Sequence, residues 1–263
     1  MPGETTPITE LAWAIVDVET TGLSPAQGDR ICEVAVLRAE PDGTTQVFSS
    51  LVNPGRPIRP QARAVHGLSD QDVSAAPYFA QLAPTLNHWF TDAVLIAHNA
   101  PFDTGFLAVE YALAQLQAPL LSVIDTLQLA RRYFTFSRRN LGVIAHEMGI
   151  PVVGAHRAGV DVLTTHRVFQ EMVRQLGSLG LHTLKDLQAS ATFRPVYDLD
   201  QIPPALGIAL QTQQPVSIRY DRGSGVSERL VQPLWTDGKY LIAFCHLRRE
   251  QRTFRVDRIL AVW

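Results

Sequence analysis

Residues 12–23 read AWAIVDVETTGL. The apolar, β-branched run Ala12–Val18 has the composition of a buried strand, and the Thr-Thr-Gly that follows is where such a strand must turn. Side chains alternate along a strand, so Asp17 and Glu19 fall on one face and Val18 on the other. Two carboxylates that close raise each other's pKa unless a cation lies between them, and a divalent metal is the natural partner. Thr20, Thr21 and Gly22 add hydroxyls and a permissive backbone at the point where a ligand would approach. An Asp-x-Glu triplet alone recurs by chance about once in a chain of this size, so its meaning depends on what surrounds it.

Working outward, Ile31–Ala39 and Thr44–Val52 are two further strand-like runs between Gly and Pro turn signals. Ala93–Ala97 predicts a strand leading through His98 and Asn99 into a helix over Thr104–Gln117. Asn140 is placed to cap a helix through Met148, and Val160–Leu176 predicts another, closed by Gly177. Strands followed by helices imply an α/β sandwich. Past Gly177 a Gly- and Pro-punctuated stretch reads as a linker with one short helix near His182–Ala189, and a run of short strands separated by Gly223, Gly225 and Gly238 suggests a small β-barrel.

The chain of 263 residues, 46% hydrophobic and 18% charged, can bury one large core or two smaller ones, and its 17 Gly and 17 Pro lack a collagen period. Two distant cysteines, Cys32 and Cys245, argue against a disulfide framework. With no basic leader in MPGETTPITE and no apolar stretch long enough for a bilayer, the expected location is the cytoplasm. The net charge of -2 hides an asymmetry: residues 211–263 carry nine Lys or Arg against five Asp or Glu, a balance of +4, which leaves -6 on the rest. An acidic body that handles phosphates needs bound cations.

Two more segments carry acids at element ends. In HNAPFD (98–103), Asp103 lies near a helix start; in HRAGVD (156–161), Asp161 occupies the first turn of a helix behind a Gly-containing loop that bears His156. Read alone, each Asp is better explained as a helix cap, and Asn99 as a turn residue. Together the order is Asp-x-Glu, Asp, His-x4-Asp. The segments DVETTGL, HNAPFD and HRAGVD resemble the three motifs of the DnaQ-like, DEDDh-type 3′-to-5′ exonucleases, and Val65-His66-Gly67-Leu68-Ser69 is similar to a segment those enzymes carry between the first two motifs. The resemblance covers roughly residues 10–177.

It implies a ribonuclease H-like mixed sheet flanked by helices. It also implies two Mg or Mn ions held by Asp17, Glu19, Asp103 and Asp161, with His156 as general base and nucleic acid, DNA before RNA, as substrate. Hard oxygen ligands suit hard cations, and two such ions suit in-line displacement at phosphorus. An imidazole on a mobile loop suits proton transfer from an attacking water near neutral pH. By the same analogy Thr20, Thr21, Gly22, Leu23, His98, Asn99 and Phe102 contact the terminal nucleotide, although a core aromatic behind the site explains Phe102 equally well.

The last part of the chain, with VSIRYDRGSG and RLVQPLWTDGKYLIAFCHLRREQRTFRVDRIL, resembles the WYL domain, a small Sm- or SH3-like β-fold. Arg219, Tyr220, Arg249, Arg255 and Arg258 fall where that family tends to place Arg and Tyr, and guanidinium groups suit phosphate or nucleotide ends. The expected organisation is an exonuclease domain over 8–177, a linker over 178–202 and a WYL-like domain over 203–263. The expected function is a metal-dependent 3′-to-5′ exonuclease yielding 5′-mononucleotides, its C-terminal domain binding nucleic acid or regulating activity. The alternatives are a ligand-sensing or DNA-binding regulator on a nuclease scaffold, and an RNA-trimming enzyme.

Overall fold

The computed structural model describes residues 3–119, 121–152, 154, 156–188, 192–193, 202–212, 214–223, 225–236 and 240–263. Residues 189–191 and 194–201 of the expected linker, and positions 237–239, which include Gly238 and Lys239, therefore lie outside the described residues. In chain order the first part runs β1 (Ala12–Thr20), β2 (Ile31–Ala39), β3 (Thr45–Leu51), α1 (Pro60–His66), α2 (Asp70–Val73), α3 (Phe79–Phe90), β4 (Ala93–Ala97) and α4 (Ala100–Leu113). It continues through β5 (Leu121–Asp125), α5 (Thr126–Tyr133), α6 (Leu141–Glu147), α7 (Ala158–Gly177), α8 (Leu184–Leu187) and β6 (Thr192–Phe193). After it come α9 (Pro204–Thr212), β7 (Val216–Asp221), β8 (Val226–Thr236), β9 (Tyr240–Cys245), β10 (Glu250–Arg255) and β11 (Ile259–Val262).

The strands of the first part form a mixed sheet in the order β3-β2-β1-β4-β5-β6. β1 pairs antiparallel with β2 and parallel with β4, and β4 pairs parallel with β5. Alternation along β1 divides the core. Ala14, Val16 and Val18 join the cluster that α3 and α4 cover, while Ile15 joins the one that α7 covers through Val162, Phe169 and Met172. Asp17 and Glu19 share the parity of Ile15, so both point to the α7 side. Because β1 and β4 run parallel with Ile15 opposite Ile96, their carboxyl ends open at the same edge, where open α/β sheets bind ligands.

Helices α1–α3 and α5 fall where apolar periodicity alone gave no element. α1 carries Pro60 in its first turn, and α3 contains Pro84, so proline that reads as loop punctuation is accommodated within the helical segments.

The second sheet is antiparallel, in the order β10-β9-β8-β7-β11, around its own core of residues such as Leu206, Ile218, Val231, Leu241 and Phe254. Among the described residues no pairing of β10 with β11 closes it into a barrel. It docks on the first part: Ile242 joins the α3–α4 core, Leu234 and Tyr240 pack against that core, and the Thr253 hydroxyl donates to the Ala26 carbonyl. No described helix is long and apolar enough to cross a membrane.

Candidate active site

Three elements converge at the carboxyl end of β1. Asp17 and Glu19 come from the strand and Asp161 from the first turn of α7, and each offers a carboxylate oxygen within 4.8 Å of the others. Asp103, from the first turn of α4, reaches over from the opposite layer and accepts a hydrogen bond from the Val18 amide at 3.1 Å. Neither helical Asp acts as the N-cap. Asn99 caps α4 in a left-handed conformation with no side-chain capping bond, and Arg157 caps α7. Asp161 instead accepts from the His156 amide at 3.0 Å, which draws the His156 loop against the cluster. His156 is exposed and has a φ of 66°, a left-handed conformation that histidine seldom adopts.

The electrostatics of the cluster are those of anions without a counterion. Asp17 is held well above the usual carboxylate range, by burial first and then by Asp103, Asp161, Glu19 and Glu33. Glu19 is pushed up to about 7, by burial and then by Asp161 and Glu33, against the nearby Arg157 cation. Burial also raises Asp103 and Asp161. An all-oxygen donor set of this compactness, with the affinity of each oxygen for a proton raised, fits a hard divalent cation, whose bonds of about 2.1–2.5 Å can join such oxygens.

The residues around the cluster have separate tasks. Glu33 on β2 stands opposite Glu19 and is buried, yet it is not bare: Arg157 pairs with it at 2.8 Å and the Ala158 amide donates to it at 3.2 Å. This pair fastens the loop before α7 to the sheet, and the β2 strand pattern gave no sign of it. Asp125, at the end of β5, accepts from the amides of Leu127 and Asn99, and its Oδ2 is buried with no hydrogen-bond partner among the described residues. His66 is buried beside the site, where its Nδ1 accepts from the Leu68 amide and its Nε2 therefore donates to the Thr20 carbonyl at 3.2 Å.

A cleft of about 570 Å³ opens beside the acids, lined by Glu19, Thr20, Gly22, Leu23, His66 and Phe102 among others. Leu23 stands 85% exposed at its rim. Gly22 is dictated by space, since a Cβ there would lie 2.4 Å from Asp29 Oδ2. Thr21 is fully buried, and its hydroxyl is committed to Asp29 and the Arg30 amide, so it holds the turn and does not line the cleft. His98 likewise faces away: its ring nitrogens meet Thr126 Oγ1 and the Arg139 carbonyl, both at 2.9 Å. Asn99 is exposed, and its amide is held by Asp125.

In the second sheet Tyr220 and Arg258 line a separate cavity of about 300 Å³. The other expected residues are elsewhere. Arg219 sits on the outer face opposite Glu228, Arg249 lies in the turn before β10, and Arg255 is paired with Asp257. The cavity instead gathers Arg222, Arg229, Arg248 and Arg252. Arg229 could have been found from the alternation in SERLV, which puts it on the same side as the core residue Val231.

The sequence model of the family described as Exonuclease matches residues 14–169, which contain every member of the acidic cluster. The chain belongs to that exonuclease family. The WYL domain family matches residues 204–262. The exonuclease part is 36% identical over 185 residues to a DNA polymerase III subunit epsilon-like protein of Rhodobacter capsulatus and 33% identical over 177 residues to the 3′-5′ exonuclease DinG of Bacillus subtilis. Those matches take in 68% and 67% of this chain but only 26% and 19% of the relatives, so the chain spans a minor part of their length. Among solved structures, Exonuclease X in complex with 5′ overhanging duplex DNA superposes with a TM-score of 0.53 at 26% identity, covering 67% of this chain and 99% of that one. The nuclease domain of 3′hExo, a DEDDh family member bound to rAMP, shares the fold with a TM-score of 0.57 at 17% identity, covering 69% of this chain and 97% of that one. The mixed sheet with flanking helices is thus the ribonuclease H-like fold that the motifs imply.

Proposed function

We propose that the protein is a metal-dependent 3′-to-5′ exonuclease that trims DNA, at single-stranded or frayed 3′ ends, to 5′-mononucleotides. The observation that carries this reading is the approach of Asp17, Glu19 and Asp161 oxygens to within 4.8 Å of one another, with Asp103 beside them. Asp17, Glu19, Asp103 and Asp161 would hold two Mg or Mn ions, which supply charge neutralisation for the phosphate and acidify the attacking water. His156 then takes the proton of that water as its oxygen bonds to phosphorus. The bond from phosphorus to the 3′-oxygen of the preceding nucleotide breaks, that oxygen is protonated, and the released nucleotide keeps its 5′-phosphate. Leu23 packs against the terminal base, while Thr20, Gly22 and Phe102 shape the cleft around it. Two buried free thiols suit a reducing cytoplasm. The separate core of the second sheet and the spans of the two family matches favour division into 8–177, 178–202 and 203–263.

The test uses 5′-labelled single strands of DNA and of matched RNA with Mg or Mn, with EDTA, and with Asp17→Ala. A ladder that shortens from the 3′ end only with metal and the native Asp17 supports the proposal. Strands that survive every metal condition, yet are still bound in a gel shift, would replace it with the regulator reading. Preferential loss of the RNA would move the substrate class.

A further inference from the structure

The cleft beside the acids is the first of three neighbouring cavities, each sharing a wall residue with the next. Gln27 lines both the cleft and a seam cavity of about 300 Å³, whose walls include Arg30 and Arg56 from the first part of the chain and Thr253 from β10. Thr253 also lines the cavity of the second sheet, where Arg222, Arg229, Arg248, Arg252 and Arg258 gather and, among the described residues, no carboxylate contributes to the wall. The charge changes along this path. Acids dominate at the catalytic end. At the seam Arg30 is matched by the buried Glu110 and Arg56 lies 3.6 Å from Asp29, while the far end carries five guanidinium groups.

Arg229 is the most enclosed of these cations. It stands opposite Ile218, on the core face of the sheet, and is only 9% exposed. Its side chain lines the cavity wall with Arg222, Arg248, Arg252 and Arg258. Guanidinium groups gathered around one cavity repel one another, and an anion seated among them relieves that repulsion. Arg222, held by Ser227 Oγ at 3.1 Å, together with Arg248 and Arg258 adds exposed cations at the mouth of the same cavity.

We propose that these cavities form one track for a single nucleic-acid strand, so that the strand whose 3′ end lies at Asp17, Glu19 and Asp161 passes over Arg30 and Arg56 and seats its 5′-ward phosphates on Arg222, Arg229, Arg248 and Arg258. This inference rests on the exonuclease reading for its polarity, because only the 3′-terminal phosphodiester can occupy the acidic end. A repeating polyanion is the ligand that meets cations at both the seam and the far cavity. The second sheet thereby acts as a strand clamp that favours long over short substrates.

The test compares kcat/KM on strands of about 4 and about 16 nucleotides, the span that single-strand binding folds occupy. It uses wild type, Arg229→Met and the double variant Arg248→Ala/Arg258→Ala, whose exposed side chains can be removed without opening the core. Fluorescence anisotropy of the longer strand in EDTA is followed against salt in parallel. Wild type is expected to favour the longer strand by about 10-fold, and each variant to cut that advantage. The double variant is expected to lower the salt slope of binding by about 1.4, or roughly 0.7 per lost phosphate contact. Equal turnover of both lengths by an active wild type, or variants that keep both the length advantage and the salt slope, would overturn the track while leaving the exonuclease intact. So would a mononucleotide that binds the arginine cavity without displacing the longer strand, which would mark a separate effector site. Failure of wild type to degrade either length would sink the exonuclease reading, and an unchanged salt slope in the double variant would then sink the track as well.

Discussion

Glu19→Gln should stabilise the metal-free protein while disabling it. The Glu19 carboxyl is raised from its ordinary 4.5 to about 7, chiefly by burial and then by Asp161 and Glu33. A group whose folded-state pKa is raised contributes stability at pH below its unfolded value and loses that contribution as pH climbs through the folded value. At pH 8 the ionised Glu19 therefore costs the fold about 3 kcal/mol relative to its neutral form, and at pH 5 under about 1 kcal/mol. Gln has the shape of the neutral acid and never ionises. In EDTA at pH 8 the variant should melt on the order of 5–10 °C above wild type, with the gap nearly closed at pH 5. Adding Mg or Mn should reverse the order, because wild type gains a ligand-stabilised state that the variant has lost. Differential scanning fluorimetry over this pH range, with and without metal, reads all of this. A variant that melts below wild type in EDTA at pH 8, or gains as much at pH 5 as at pH 8, would refute the picture of crowded anions awaiting a cation.

Other perturbations separate chemistry from scaffolding. His156→Ala should lower kcat by about 100- to 10,000-fold with no change in melting temperature, since the side chain is exposed; a melting shift would assign it a structural role. Arg157→Ala strips the counterion from Glu33, whose side chain is only 4% exposed, and should cost about 2 kcal/mol in chemical denaturation, between an exposed pair and a fully buried one because Arg157 is half exposed. Gly22→Ala forces a methyl group against Asp29 and should cost about 1–3 kcal/mol and weaken substrate binding at the cleft; an unchanged melting temperature would show that Asp29 can move aside.

Much of the site is legible in the residue order, and the exceptions have local causes. β2 and β4 begin and end where their strand-like runs do, because a strand buried on both faces is largely apolar, and β2 departs from this at Glu33 and Arg38, each paired with a charged partner. β5, the run LSVID, is as short as β4 but is broken by Ser122 and Asp125, so it lacks the continuous apolar stretch that marks β4. The acids of β1 were evident from alternation, whereas Asp103 and Asp161 have the sequence signature of helix caps and prove otherwise only through Val18 and His156, their partners in space. Neighbouring threonines diverge for a similar reason: Thr20 borders the cleft, and Thr21, one residue on, turns inward to Asp29.

Residue chemistry and order were enough to specify the family, the acidic set and the strand that bears its first two members, since alternation and motif spacing are properties of the chain itself. Glu33 beneath the Arg157 loop, His98 turned from the cleft and Arg229 facing the core of the second sheet were settled by folding alone. Each depends on a partner brought close from a distant part of the chain or an adjacent strand, and a one-dimensional pattern carries no measure of that proximity.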